Sequence, residues 1–115
     1  MTWLYHLVQP LFSRIDPEIA HGIAIFVLKR GLIKKYPLSQ NPRLEQRIWN
    51  LDFKNPVGLA AGFDKNAEVV NAMLSQGFGF VEAGTVTPKA QSGNSKPRIF
   101  RYSKERAVIN RLGFN

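Results

Sequence analysis

Apolar side chains recur every three or four residues over the first 36 positions, which is the spacing of amphipathic helices. One helix is predicted over residues 3–15, kinked or split at Pro10, because proline strains a helix interior. A second helix is predicted to start after Asp16, an N-cap followed by proline, and to stop at Gly31. The pattern therefore predicts an N-terminal helical pair.

The apolar faces of this pair fit either a protein core or a membrane surface. Amphipathic helices usually face a protein interior. The aromatic residues Trp3, Tyr5 and Phe12, together with basic flanks, are instead typical of helices at a membrane interface. Both interpretations stay open at this point.

A polar, proline-bearing stretch at residues 36–42 marks a predicted domain boundary. It separates a helical domain at residues 1–36 from a second domain at residues 37–115. Polar and apolar residues then alternate over residues 47–53 around Asn50, which predicts two short antiparallel strands.

A βαβ unit is predicted over residues 55–88. Residues 57–61 are small or apolar, as in a fully buried strand of a parallel sheet. Asp64 is the predicted N-cap of a helix over residues 66–76. The order strand, glycine turn, helix is typical of α/β folds, which bind ligands at the C-terminal edge of the sheet.

The chain returns to the sheet after Gly77, the predicted end of that helix, and a second strand starts at Phe80. We expect Glu82, in this strand, to form a salt bridge with a core lysine or arginine, because a lone buried charge is costly. A turn-rich loop at 91–97 and a short strand at 98–102 follow.

The ends of the two strands carry the candidate chemistry. Residues 60–62, Ala-Ala-Gly, have almost no side-chain bulk, so a flat ring could lie against the backbone. Gly84 and Thr85 repeat this on the neighbouring strand, and Thr85 adds a hydroxyl. Lys65 supplies a positive charge that could stabilise an anionic ring or a carboxylate. The alternative is a packing floor with a solvent-facing lysine.

The last segment, 107–115, begins apolar and ends polar. Asn110 and Asn115 could form two-sided hydrogen bonds with an amide-like ligand, although turn chemistry explains asparagine equally well.

Composition narrows the classes of function. The absence of cysteine excludes disulfides, iron–sulfur clusters and thiol nucleophiles, and two histidines are too few for a histidine-rich metal site, so no metal is predicted. The net charge of +8 fits a solvated basic surface, anionic lipid, phosphate ligands or nucleic acid. Nucleic acid is disfavoured because no recognisable motif of that kind is present.

Four stretches, in order, resemble the dihydroorotate dehydrogenase family: residues 55–65 (NPVGLAAGFDK), 77–88 (GFGFVEAGTVTP), 97–101 (PRIFR) and 109–115 (INRLGFN). Residues 16–21 (DPEIAH) and the N-terminal helices are similar to its membrane-associated, quinone-dependent class. The resemblance implies an α/β fold, with an N-terminal helical extension and the first part of a (β/α)₈ barrel. It also implies oxidation of dihydroorotate to orotate in pyrimidine biosynthesis, with FMN as cofactor and a quinone as electron acceptor.

The same resemblance implies roles for individual residues. Contacts with FMN are expected from Ala61, Gly62, Lys65 and Thr85. Contacts with the substrate are expected from Lys65, Asn110, Arg111, Leu112, Gly113 and Phe114. His21 and Arg101 are expected on the quinone side, between the N-terminal helices and the barrel.

A full barrel takes about 250 residues, so a chain of 115 is expected to be an N-terminal fragment. The catalytic base is expected beyond the chain end, and the fragment alone is expected to bind FMN weakly at best and to lack activity. The expected location is peripheral, on the cytoplasmic face of a bacterial inner membrane. A stand-alone membrane-surface module and a small basic nucleic-acid binder are the competing interpretations.

Overall fold

The computed structural model describes residues 9–36 and 41–115. Residues 9–14 are helical, Ile15 forms a bend, and residues 3–8 of the predicted first helix lie outside the described ranges. Helix α1 spans Pro17–Lys29. Asp16 caps it as predicted, because Asp16 Oδ1 accepts the N–H groups of Glu18 and Ile19 at 2.9 and 3.0 Å. Gly31, with φ of +66°, follows its end, also as predicted.

The first hairpin follows a short 3₁₀ turn at Pro42–Leu44. Strand β1, Gln46–Ile48, pairs antiparallel with β2, Leu51–Phe53. The two turn residues, Trp49 and Asn50, have φ values of +49° and +60°. Positive φ at both positions matches the twist of tight hairpins, so the predicted turn around Asn50 is confirmed.

The predicted βαβ unit is present, but its elements are shorter than expected. Strand β3, Gly58–Leu59, pairs parallel with β4, Phe80–Val81, and helix α2, Val70–Leu74, connects them. The prediction of a fully buried strand at 57–61 is wrong: Val57 is 59% exposed, and β3 is half-buried. The described elements therefore leave this strand partly exposed to solvent.

Helix α2 begins at residue 70 instead of 66, because Ala67 adopts a positive φ of +56° that a right-handed helix cannot contain. Asp64 is therefore not its N-cap. The Asp64 side chain is buried and accepts the N–H groups of Glu68 at 2.9 Å and Val69 at 2.7 Å, in the turn before the helix. The prediction that Gly77 caps the end of this helix is wrong by two residues: the C-cap is Ser75, and Gly77, with φ of +96°, follows in the turn after it.

The expectation for Glu82 is also wrong. The residue follows β4 and is exposed, and no salt bridge to it occurs within the described ranges. Because water solvates this carboxylate, it needs no buried cationic partner.

A second hairpin follows. Strand β5, Ile99–Tyr102, pairs antiparallel with β6, Ala107–Asn110. The strand predicted at 98–102 is thus confirmed to within one residue.

The small core lies between α1 and the βαβ unit. Leu28 of α1 packs with Val69 and Met73, and partly buried apolar side chains surround these three: Ile25, Leu59, Phe63, Ala72, Phe78 and Val81. The core thus takes residues from both sides of the predicted boundary at 36–42. Nowhere in the described ranges is a helix long and apolar enough to cross a membrane.

Among the described residues, three ion pairs join α1 to the rest of the chain: Lys29 with Glu68, Arg98 with Glu18, and Lys96 with Glu18. Lys29 Nζ lies 2.7 Å from Glu68 Oε2, at an exposed position. Arg98 forms a two-pronged pair with Glu18, with Nε to Oε2 at 3.1 Å and Nη2 to Oε1 at 2.7 Å. The second pair is better protected from water, because 11% of the Arg98 side chain and 22% of the Glu18 side chain are exposed.

We predict that Asp64→Ala lowers the free energy of unfolding by about 2 kcal/mol, since the N–H groups of Glu68 and Val69 lose a charged acceptor. Urea unfolding followed by circular dichroism measures this change. Asp52→Ala is the control: Asp52 is exposed and lies 3.7 Å from Arg47 Nε, so we expect a change within about 0.5 kcal/mol. Equal losses in the two variants would show that the Asp64 contacts do not stabilise the fold.

The Glu18–Arg98 pair predicts a pH dependence of stability. The hydrogen bonds from Arg98, followed by those from Lys96, hold the pKa of Glu18 below its ordinary 4.5. A carboxylate with a lowered folded pKa stabilises the folded state above its unfolded pKa and loses this contribution as the pH falls through the folded value. The advantage of wild type over Glu18→Gln should therefore be full above pH 4.5 and shrink below it. Urea unfolding across pH measures this, and an advantage that does not shrink below pH 4.5 would contradict the role of the pair.

Candidate functional site

An open cleft of about 620 Å³ lies where β3, β4 and the second hairpin meet. It gathers most of the predicted site residues. Its lining comprises His21, Leu59, Ala60, Ala61, Gly62, Phe63, Lys65, Gly84, Thr85, Ile99, Val108, Asn110, Arg111, Leu112, Gly113 and Phe114. The residues expected to contact a cofactor and those expected to contact a substrate therefore share one cleft.

Backbone hydrogen bonds fix the ends of the two parallel strands. Gly62 N–H donates to Gly84 O at 3.0 Å, and Gly84 N–H donates to Asp64 O at 3.1 Å. Asp64 in turn holds the turn before α2 through its side chain. We call the two bonds between Gly62, Gly84 and Asp64 the strand-end clasp. The clasp places the two small-residue stretches next to each other, as the sequence predicted.

The floor of the cleft is bare backbone. Ala61 is exposed, and Gly62 has a φ of +106°, which strains any residue with a side chain. A Cβ built on Gly62 would have no neighbour within 4 Å, so the space beside it is open. Thr85 is exposed beside this floor. A flat ring has room to lie on these residues.

Lys65 lies at the edge of the floor, half-buried, and reaches the last residues of the chain. Its Nζ donates to Gly113 O at 2.7 Å and to the side-chain oxygen of Asn115. Burial lowers the pKa of Lys65, and the nearby positive charge of Arg98 lowers it further. The Lys65 side chain is thus held against the last residues of the chain and does not extend freely into solvent.

Residues 110–114 form one wall of the cleft, which we call the cleft wall. Asn110 Oδ1 accepts the N–H of Leu112 at 3.4 Å. This is a local turn contact, one of the two alternatives predicted for Asn110; the other was hydrogen bonding to a ligand. The Arg111 side chain donates to Pro97 O at 3.2 and 3.3 Å. Gly113 has a φ of +78°, which favours glycine.

His21 and Arg101, both predicted on the quinone side, have different positions. His21 lines the cleft: its Nε2 lies 2.7 Å from Phe63 O, and the two rings meet edge to face. Arg101 is not among the lining residues. Its Nη1 donates to Phe12 O and Ile15 O at 2.9 and 2.8 Å, at the end of helical residues 9–14.

Sequence reasoning missed the part of the cleft formed by the second hairpin. Ile99 and Val108 line it, from β5 and β6 respectively. An alternating stretch at 98–102 and an apolar stretch at 107–109, separated by the polar residues 103–106, are a hairpin signal that could have placed Val108 beside the cleft. Within the described ranges, no group of three His, Cys, Asp or Glu side chains could hold a metal ion.

Comparison with known proteins gives a consistent result. The family model for dihydroorotate dehydrogenase matches residues 43–115. A dihydroorotate dehydrogenase (quinone) from Azorhizobium caulinodans is 56% identical over 112 residues, covering 97% of this chain and 32% of its own. The corresponding protein from Rhizobium etli is 61% identical over 100 residues, covering 87% of this chain and 28% of its own.

Solved structures agree with these sequences. The DHODH of Eimeria tenella in complex with ferulenol superposes with a TM-score of 0.84 at 49% identity, over 95% of this chain and 30% of its own. The ligand-free form gives 0.81 at 52% identity, over 87% of this chain and 28% of its own. The chain spans about a third of the length of these relatives. Since the family model matches more than half of its residues, the chain belongs to the dihydroorotate dehydrogenase family.

Proposed function

We propose that this chain forms part of the active site of a quinone-dependent dihydroorotate dehydrogenase with FMN as cofactor. The observation that carries the proposal is the cleft, in which residues from both parallel strand ends meet the cleft wall. Relatives at 56% and 61% identity that bear this enzyme's name support it. The reaction is the oxidation of dihydroorotate to orotate in pyrimidine biosynthesis.

The residues of the cleft fit FMN. Ala61 and Gly62 offer a floor without side-chain bulk, and Thr85 adds a hydroxyl beside it. Lys65 places a positive charge at the edge of that floor. When bound, FMN supplies two-electron redox chemistry, and the protein supplies orientation and charge.

The chain's own residues then have distinct tasks. Lys65 stabilises negative charge on the flavin ring and on the orotate carboxylate. The cleft wall, with Asn110 and Arg111, supplies hydrogen-bonding groups for the substrate. No residue of this chain is assigned as the catalytic base.

The remaining parts of the proposal concern the whole enzyme. The parallel pair β3 and β4 with α2 is the first βαβ unit of a (β/α)₈ barrel. The described N-terminal residues, 9–36, lie on the quinone and membrane side, and His21 and Arg101 lie toward the quinone. The protein binds at the cytoplasmic face of a bacterial inner membrane.

The exposed face of α1 supports membrane binding. Ile19, Ile23 and Phe26 are spaced to share one side of the helix, and they are 58%, 38% and 52% exposed. The Arg30 guanidinium carbon lies 4.8 Å from the centre of the Phe26 ring. An apolar face bordered by arginine and lysine is typical of helices that lie in an anionic membrane surface.

We predict that Lys65→Gln weakens FMN binding by about tenfold, because a charge-assisted hydrogen bond is worth about 1.5–3 kcal/mol. Glutamine retains a donor near Gly113 O but removes the charge. Quenching of FMN fluorescence by the 115-residue chain gives the two dissociation constants. Lys54→Gln is the matched control, since Lys54 pairs with Glu45 at the surface and lies outside the cleft. Equal affinities for wild type and Lys65→Gln would contradict the assigned role.

We also predict that the double variant Ile19→Ser, Phe26→Ser partitions about tenfold less onto anionic vesicles, because two apolar side chains no longer enter the interface. Sedimentation with vesicles of phosphatidylglycerol and phosphatidylcholine measures this. Trp49→Ser is the control: this residue, in the first hairpin, is 89% exposed, and its loss should leave the partition unchanged. If Trp49→Ser reduces binding as much as the double variant does, α1 is not the membrane-binding face.

A further inference from the structure

The Arg98 guanidinium forms hydrogen bonds with both helix α1 and the loop at 91–97. Two of its nitrogens donate to the Glu18 carboxylate, in the two-pronged pair described above. The third, Nη1, donates to Ser92 O at 2.7 Å and to Asn94 O at 3.0 Å. One well-covered side chain therefore ties the first turn of α1 to two carbonyl groups of the loop.

The same loop holds the cleft wall. Asn94 N–H donates to Leu112 O at 3.0 Å, and Asn94 Nδ2 donates to Arg111 O at 2.7 Å. Arg111 N–H returns a bond to Arg98 O at 2.8 Å. Since Arg111 and Leu112 line the cleft, this part of its wall rests on the loop that Arg98 organises.

Gly93 is closely packed between the Arg98 side chain and the cleft wall. Gly93 has a φ of +72°, and a Cβ built on it would lie 2.4 Å from Leu112 O and 2.9 Å from Arg98 Nη1. The loop backbone, the arginine and the cleft wall are thus in direct contact. A displacement of Arg98 is therefore transmitted to the wall by steric contact as well as by hydrogen bonds.

Glu18 is the group that holds Arg98 in this position. Charge-assisted, two-pronged hydrogen bonds are stronger than neutral ones and fix the plane of the guanidinium. Without the carboxylate, an arginine that is 11% exposed would be left without its anionic partner. It would then regain solvation by turning toward water, which removes its bonds to the two loop carbonyls.

We propose that Glu18 and Arg98 are positioning residues, through which helix α1 fixes the cleft wall. This inference rests on the proposed function to the extent that the cleft binds FMN and dihydroorotate. Its consequence is that the seating of α1 and ligand affinity in the cleft are coupled. Neither residue lines the cleft, so both act through the loop at 91–97.

Lys96 provides a matched control for this proposal. Its Nζ lies 3.3 Å from Glu18 Oε1, the oxygen that accepts from Arg98 Nη2, but the lysine side chain is 69% exposed. Lys96→Gln therefore removes a positive charge beside Glu18 and leaves the bonds from Arg98 to the loop in place. Arg98→Lys tests the hydrogen bonds separately from the charge. Lysine retains the positive charge but cannot bond to Glu18 and to both loop carbonyls at once.

Amide hydrogen exchange, measured by NMR on the 115-residue chain, tests the coupling without any ligand. We expect Glu18→Gln and Arg98→Lys to speed exchange at Asn94 and Arg111 by about tenfold, and Lys96→Gln to change it by less than about twofold. The amide of Met73, which donates within α2 to Val69 O, is the internal reference for a folded chain. The proposal would be overturned if exchange at Asn94 and Arg111 were unchanged in Glu18→Gln while Met73 stayed protected. Exchange at the wild-type rate in Arg98→Lys would overturn it as well.

FMN titration of the same variants provides a second measurement. Glu18→Gln should raise the dissociation constant by about threefold to tenfold, with Lys96→Gln unchanged, because a loosened wall must be ordered on binding. An unchanged constant in Glu18→Gln would contradict the link between the wall and the ligand. The exchange rates decide whether α1 fixes the wall, whatever the affinity of the wild-type fragment for FMN.

Discussion

The strand-end clasp is the constraint on which the rest of the site depends. Two backbone hydrogen bonds join Gly62, Gly84 and Asp64, and the buried Asp64 carboxylate extends the connection to the turn before α2. Backbone bonds of this kind fix both strand ends without side chains, which is why the floor of the cleft can be bare. Lys65 follows Asp64 directly, so its position at the edge of the floor depends on the clasp as well.

The cleft wall is held from two sides by two cations. Lys65 donates to Gly113 O from the side of the floor, and Arg98 holds the loop behind Arg111 and Leu112. The positive charge of Arg98 contributes to the lowered pKa of Lys65, so the two groups also interact electrostatically. An anionic ligand in the cleft would relieve this repulsion, which fits the proposed binding of FMN and orotate.

Local signals in the sequence predicted the elements well. The structure agrees with the prediction at three positions whose conformational requirement is local: Asp16 with its following proline, Gly31 after α1, and Asn50 in the first hairpin. Burial was harder to predict. The stretch 57–61 has the composition of a buried strand, yet its burial depends on what packs against it, and the described elements leave Val57 exposed.

The same distinction applies to the site. Small residues at strand ends and a lysine after them identified the floor, because their chemistry is local. The partners of Lys65 lie 48 and 50 residues further along the chain, and Arg98 and Glu18 are 80 residues apart. Neither pairing follows from spacing, since tertiary folding alone brings these side chains together. Arg101 was assigned by resemblance, and its contacts with Phe12 and Ile15 were not foreseen.

A chimera tests the central claim most directly. In it, this chain replaces the matching third of the Azorhizobium caulinodans relative, and dihydroorotate-dependent reduction of a quinone is measured. Our account predicts turnover within about tenfold of the parent, because the residues of the cleft suffice for the first part of the site. A chimera that unfolds cooperatively, as the parent does, yet shows no turnover would contradict the claim that this cleft belongs to a dihydroorotate dehydrogenase active site.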